Sequence, residues 1–527
     1  MRDASDLRHR QVVVVGSGFG GAMAAWPLVR SGLDVLMLER GPWIPRGPHC
    51  WAPEGTITRT PYYGSEGYTP ARTDAGDHEV RSVAAVGGPS VFYGAVSMRL
   101  READFLNDPE IVADSGAEWP IRYGDLRPYY DAAEHMLRVA GQAGEDPTEP
   151  PRSEYPARLN GLSPVSEVMA SAARSLGLHP FRLPLAINFQ GDGSGRSPCV
   201  QCATCDTFAC AIEAKNDLAT VVLSALVREG LEIRAETSVT RLLVQGTRVT
   251  GIECCDRKTG ATYAVTADTV VLAAGALGTP HVLLSSGLEQ LSPAGDVVGR
   301  YLTRHCAGIV FGAYPWMPRH EGVFHKQVGI TDFYLGDPSG EEPRGKLGSI
   351  QQTQTPHVGQ VVGETGAIGF LLTPLVRRAT GLLVIAEDRP RYENRVYLAD
   401  AKAGADGPRL LSIEHRYHER DLASRKLLYA RARQIHRAAG SVLHYVHTIN
   451  TFSHALGTVR MGRDPERAPL DETGRFRGAD NLYVADGSAL PTSGGVNPSL
   501  TIAANALRVG SLLAQRIRTG AEAVAAR

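Results

Sequence analysis

The hydrophobic pattern changes character along the chain. Near the N-terminus a short β-branched run, Val12–Val15, passes through a glycine-rich turn into Ala22–Arg30, which reads as a helix strained or kinked at Pro27. Asp34–Glu39 then reads as a second strand, completing one βαβ unit. Thr237–Leu242 leads to a turn at Gln245-Gly246, alternation continues to Glu253, and Thr269–Leu277 is a strand-sized apolar run. From about residue 300 to 452 the runs are shorter and alternate, as in Gly322–Ile330, Gly381–Asp388 and Asn394–Leu398. Glu419 to Ala439 reads as one long amphipathic helix. The pattern predicts an α/β nucleotide-binding part and an α+β part with an antiparallel sheet.

Composition narrows the function classes. A chain of 527 residues exceeds what one growing core sustains, so two domains are expected. A formal charge of -1 provides no basic surface for phosphates, which argues against a nucleic-acid partner. No apolar run is long enough to span a bilayer, and Arg8-His9-Arg10 leads straight into the valines without a signal-peptide core. The expectation is a cytoplasmic protein with no membrane partner. Eight cysteines are too few for a disulfide scaffold.

The turn after the first strand is Gly16-Ser17-Gly18-Phe19-Gly20-Gly21, a G-x-G-x-x-G in register with strand, helix, second strand and a terminal acid, Glu39. Gly16 suits the tight turn, Gly18 a close pyrophosphate and Gly21 close helix–strand packing, while Glu39 can accept hydrogen bonds from ribose hydroxyls. The fingerprint fits FAD and NAD alike.

Further segments make the choice. Val86-Gly87-Gly88-Pro89-Ser90-Val91-Phe92-Tyr93-Gly94-Ala95, Trp119-Pro120-Ile121, the stretch around Val239, and Thr269 through Ala274-Gly275 to Pro280 together resemble the glucose–methanol–choline (GMC) oxidoreductase family. So does the C-terminal region, with Ser453-His454, Ala485-Asp486-Gly487-Ser488 and Asn497-Pro498-Ser499. The resemblance implies a Rossmann-like FAD-binding domain and an α+β substrate domain. It implies FAD contacts from Gly16 to Gly21, Glu39, Arg40, Gly87, Gly88, Ser90, Gly94, Ala95, Val239, Ala274, Gly275, Asp486, Gly487, Asn497, Pro498 and Ser499. Residues 1–300 would bind FAD, with 151–210 as a connecting insertion, 301–452 would bind substrate, and 453–527 would return to the FAD domain.

The same resemblance makes His454 and Asn497 the catalytic pair. An alcohol carbon releases hydride readily as its hydroxyl proton leaves. A neutral imidazole can take that proton, and a carboxamide can hold the oxygen. Pyranose oxidases, glycoside 3-oxidases and aminoglycoside alcohol dehydrogenases are the members most similar in pattern. They imply oxidation of a sugar or glycoside hydroxyl at C2 or C3, with electrons passing to oxygen or to a quinone- or dye-like acceptor. A sterol or aminoglycoside alcohol, or a flavin-binding protein without turnover, are the alternatives. No histidine stands at Gly88-Pro89-Ser90, so the FAD is expected to be non-covalent. Gln351, Gln352, Gln354, His325 and His357 are candidates to meet a hydroxylated substrate. Cys199, Cys202, Cys205 and Cys210 have a spacing that suits zinc or an iron–sulfur cluster, yet small buried thiols explain them too, and no metal is expected.

Overall fold

A computed structural model describes residues 9–520, apart from 192, 194, 344, 356–357, 359–360, 363–365 and 404–407. The valines Val12–Val15 are at most 5% exposed, so this strand is covered on both faces. That is the environment of a central parallel strand. Arg10–Val15 pairs in parallel with Val35–Leu38 on one side and with the end of Thr262–Leu272 on the other. Glu232–Arg234 and Leu482–Val484 extend the sheet as further parallel strands.

The strand Thr262–Leu272 does two jobs. Its first half alternates exposed and buried residues and pairs antiparallel with Arg248–Asp256. Its last four residues, Thr269–Leu272, are all buried and lie in the parallel sheet. The apolar run Thr269–Leu277 therefore divides: its strand part ends at Leu272 and delivers the chain to Gly275, where a helix starts.

The helix Phe19–Arg30 runs through Pro27 without a break. A Cβ on Gly510 would lie 2.4 Å from the Ala24 carbonyl oxygen and 2.9 Å from the Pro27 ring. The closing helix Ser499–Arg518 thus packs its bare backbone against the proline-bearing turn. Burial against that neighbour offsets the missing N–H.

A second, antiparallel sheet orders its strands as Leu443–Thr448, Cys306–Ala313, Ala379–Ala386, Gly348–Thr353, Val328–Ile330 and Phe181–Arg182. The predicted long helix is present as Glu419–Ala438, and its Leu427, Leu428, Ala432 and Ile435 join the core under this sheet. Helix Pro164–Ser175 adds Val165 and Met169 to the same core. The segment expected as a connecting insertion therefore supplies a helix and an edge strand to the second layer. Its apolar helical face is buried there, as such a face must be. No described helix is long and apolar enough to cross a membrane.

Candidate active site

Where the two sheets meet, one cavity of about 1590 Å³ runs from the glycine turn and Glu39, past Gly88, to His454 and Asn497. Ligand pockets commonly hold about 300–1,000 Å³, so this one has room for a dinucleotide and a substrate together. The glycine turn is built by steric exclusion. Gly16 has a φ of +98°, and a Cβ there would lie 2.3 Å from the Ala273 carbonyl oxygen. A Cβ on Gly21 would lie 1.9 Å from the Gly16 oxygen, so the helix can seat on the strand only without one.

Ser17 ties this turn to both neighbouring loops. Its backbone N–H and hydroxyl donate to one Glu39 oxygen at 3.1 and 2.6 Å, and the N–H of Gly87 donates to its hydroxyl at 3.0 Å. The N–H of Gly41 donates to the other Glu39 oxygen at 2.8 Å. Burial raises the Glu39 carboxyl pKa, against the pull of these donors. Asp486 is a second hub. One of its oxygens accepts from Gly275 N–H (2.8 Å) and the Thr279 hydroxyl (2.5 Å). The other accepts from Ser488 N–H (2.8 Å) and hydroxyl (2.5 Å). This carboxylate fixes the start of one helix to the turn before the closing helix, and burial raises its pKa too.

Of the expected FAD contacts, Gly16, Ser17, Gly18, Phe19, Gly20, Glu39, Arg40, Gly88, Gly94, Val239, Ala274, Gly275, Asp486, Gly487, Asn497, Pro498 and Ser499 line the cavity. Gly21, Gly87, Ser90 and Ala95 stand behind its wall. The Ser90 hydroxyl donates to the Gly87 carbonyl at 2.6 Å and accepts from Leu218 N–H at 3.1 Å, so it shapes the loop from inside.

His454 and Asn497, 43 residues apart in sequence, reach the same cavity. Burial, then His305 and Lys326, push the His454 pKa down to about 3, so its ring is neutral at ordinary pH. Its Nδ1 lies 3.0 Å from His305 Nδ1, and the rings meet edge to face. Asn497 Oδ1 is buried without a hydrogen-bond partner among the described residues. Nearby, Lys326 pairs with Asp206, whose other oxygen accepts from the Thr353 hydroxyl at 3.1 Å. A Cβ on Gly94 would overlap this pair, at 2.0 Å from Asp206 and 2.1 Å from Lys326.

The substrate candidates divide. Gln354 lines the cavity, and its Oε1 accepts from His325 N–H at 3.2 Å. Gln351, Gln352 and His325 do not line it. The strand Gly348–Thr353 is buried along its whole length, and these side chains bond inside the protein: Gln352 accepts from Ser166 at 2.8 Å, Gln351 reaches Ser349 at 3.4 Å, and His325 Nδ1 bonds the Val323 carbonyl at 2.7 Å. His357 lies outside the described residues. Sequence reading missed His305, Lys326 and Asp206; only the polar His325-Lys326-Gln327 step inside an apolar run hinted at one of them. The four clustered cysteines are free thiols, with Cys202 on the cavity wall. Among the described residues no group of three His, Cys, Asp or Glu side chains is placed to hold a metal ion.

Comparison with known proteins agrees with this architecture. Two GMC oxidoreductase profiles match residues 78–307 and 390–506, and an NAD(P)-binding Rossmann-like profile matches 14–44. A 6'''-hydroxyparomomycin C oxidase of Streptomyces lividus is 33% identical, over 96% of this chain and 91% of its own. A paromamine 6'-oxidase of Streptomyces fradiae is 32% identical, over 97% of this chain and 92% of its own. A solved pyridoxine 4-oxidase from Mesorbium loti shares the fold, with a TM-score of 0.70 at 21% identity over 97% of this chain and 99% of its own. With both halves of the family pattern matched and named relatives above 30% identity along nearly the whole length, the chain belongs to the GMC oxidoreductase family, FAD enzymes acting on CH–OH donors.

Proposed function

We propose that this enzyme oxidises a hydroxyl of a sugar-like ring, either a sugar or glycoside or an aminated sugar, with His454 as general base and Asn497 holding the alcohol oxygen. The observation that carries the pair is the unpartnered, buried Asn497 Oδ1 in the same cavity as a neutral imidazole. A buried amide oxygen without a partner costs about 1–3 kcal/mol, and a donor group of a bound ligand other than the reacting hydroxyl supplies what is missing, which leaves the amide N–H to donate to the alcohol oxygen. Bound FAD supplies the hydride acceptor. The residues at the glycine turn, Glu39, Gly88 and Gly275 hold it without a covalent bond.

His454 takes the hydroxyl proton as the carbon loses its hydride. Its depressed pKa keeps the ring unprotonated and so available, and the buried setting strengthens its contact with a polar substrate. Asn497 fixes the oxygen so that the proton faces the imidazole. Asp206, Thr353 and Gln354 offer acceptors and donors to further ring substituents, and the Asp206 carboxylate suits an ammonium on an aminated ring. Both Streptomyces relatives are named for aminoglycoside-type compounds, which favours that branch.

A second reading rests on the sheet face of the cavity, where Ala307, Ile309, Phe311, Leu383 and Ile385 present an apolar floor. That floor suits a sterol or another apolar alcohol. Anaerobic mixing of the yellow enzyme with aminoglycosides, pyranoses, aryl glycosides and cholesterol separates the readings. Bleaching by hydroxylated rings and not by cholesterol is expected. Bleaching by cholesterol alone would replace the first reading with the second.

A further inference from the structure

Two histidine nitrogens 3.0 Å apart share one hydrogen, and the surroundings decide which ring carries it. His305 is 1% exposed, and its Nε2 lies 3.0 Å from the carbonyl oxygen of Ser493. A carbonyl only accepts, so this Nε2 carries a hydrogen. In a neutral imidazole the other nitrogen is then bare, and His305 Nδ1 must accept. The hydrogen between the rings therefore sits on His454 Nδ1, which leaves the lone pair of His454 on Nε2. That nitrogen has no hydrogen-bond partner among the described residues, and it is not sealed from solvent as Asn497 Oδ1 is. His454 lines the cavity.

We infer that His305 is a positioning residue, one that holds His454 in the Nδ1–H tautomer so that the bare Nε2 is offered to the substrate hydroxyl. The inference rests on His454 as general base and adds what makes it competent. His305 sits with a φ of +64°, a left-handed conformation uncommon outside glycine, at the entrance to the strand Cys306–Ala313. Its own carbonyl accepts from the Tyr417 hydroxyl at 2.9 Å, and Thr303 and Leu456 pair through their backbones alongside. Strained backbone of this kind persists where surrounding structure enforces it, and here it aims one ring between Ser493 and His454.

The charges around the two rings differ. Lys326 faces His454 and opposes a positive charge there, while Asp388 and Asp104 lie on the His305 side and favour one. Burial outweighs those carboxylates and keeps His305 neutral, its pKa below the ordinary histidine value. A doubly protonated His305 would instead donate to His454 and place the lone pair of His454 on Nδ1, turned away from substrate. The tautomer is thus the discriminating observable.

FAD-loaded enzyme labelled with ¹⁵N-histidine reports it directly, with the His454 signals assigned by their loss in His454→Gln. Long-range ¹H–¹⁵N spectra should show a protonated Nδ1 and a bare Nε2 on His454 throughout pH 6–9. His305→Phe removes the acceptor and should mix or invert the tautomers. It should also slow anaerobic flavin reduction about 10²-fold with little change in half-saturating substrate, a smaller loss than the roughly 10⁴ seen when a triad loses its tautomer-setting carboxylate. His305→Asn, whose side-chain oxygen can stand where Nδ1 stood, should recover most of the rate. A bare Nδ1 on His454 in the wild type overturns the inference, and so does an unaltered tautomer in His305→Phe. The wild-type spectrum decides even where a variant folds poorly. A correct tautomer together with no alcohol that bleaches the flavin would instead condemn the proposed function.

Discussion

Acid should unfold this protein through histidines it keeps neutral. Burial depresses His325 and His436 to about 4 and His454 to about 3, against an ordinary value near 6.5. Unfolded chain takes up protons on these rings as pH falls through 6.5, and the folded protein does not. Stability is therefore intact above pH 6.5 and drains away between there and about pH 4. Each ring contributes about 1.4 kcal/mol per pH unit in that window. Asp421 works in the opposite sense, because burial and neighbouring Asp388 raise its pKa, and it offsets about one ring. Among these four groups the net uptake costs about 3 kcal/mol between pH 6.5 and 5, a large share of the roughly 5–15 kcal/mol that holds a protein folded. At about 0.9 °C per kcal/mol for a chain of this length, the melting temperature should drop by about 3 °C. Thermal scans of the FAD-loaded enzyme, read by flavin and tryptophan fluorescence, measure it. His436→Gln lies outside the cavity and should about halve the drop. A melting temperature level from pH 6.5 to 5, or a drop that His436→Gln leaves untouched, would refute the reasoning.

Other perturbations probe the site. Asp486→Asn replaces one of two acceptor oxygens that between them receive four hydrogen bonds, stranding buried donors. It should cost about 2–4 kcal/mol and release FAD on gel filtration; wild-type stability and retention would count against the hub role. Lys326→Met removes a positive charge that lowers the His454 pKa. The acid limb of anaerobic flavin reduction should move to higher pH, and a limb that stays put or moves lower would contradict that coupling.

The parts of the site written as local pattern were legible in the sequence. Strand, glycines, helix and Glu39 follow one another within thirty residues, and their roles depend on neighbours along the chain. The doubled character of Thr262–Leu272 was legible only in part, because alternation gives way to continuous burial without a turn. Gln351 and Gln352 misled for a physical reason. A polar strand reads as solvent- or substrate-facing, yet here Ser166 and Ser349 meet the amides inside the fold. His305, Lys326 and Asp206 were illegible because each draws its role from a partner more than a hundred residues away, joined by the second sheet.

The most direct test of the account is the rate of flavin bleaching on anaerobic mixing with a responsive alcohol, compared between wild type, His454→Ala and Asn497→Ala. Wild type should bleach. Both variants should stay yellow when mixed, His454→Ala reduced about 10²–10⁴-fold more slowly, the range a general base supplies. Flavin that bleaches at the wild-type rate in His454→Ala would show that the proton leaves by another route.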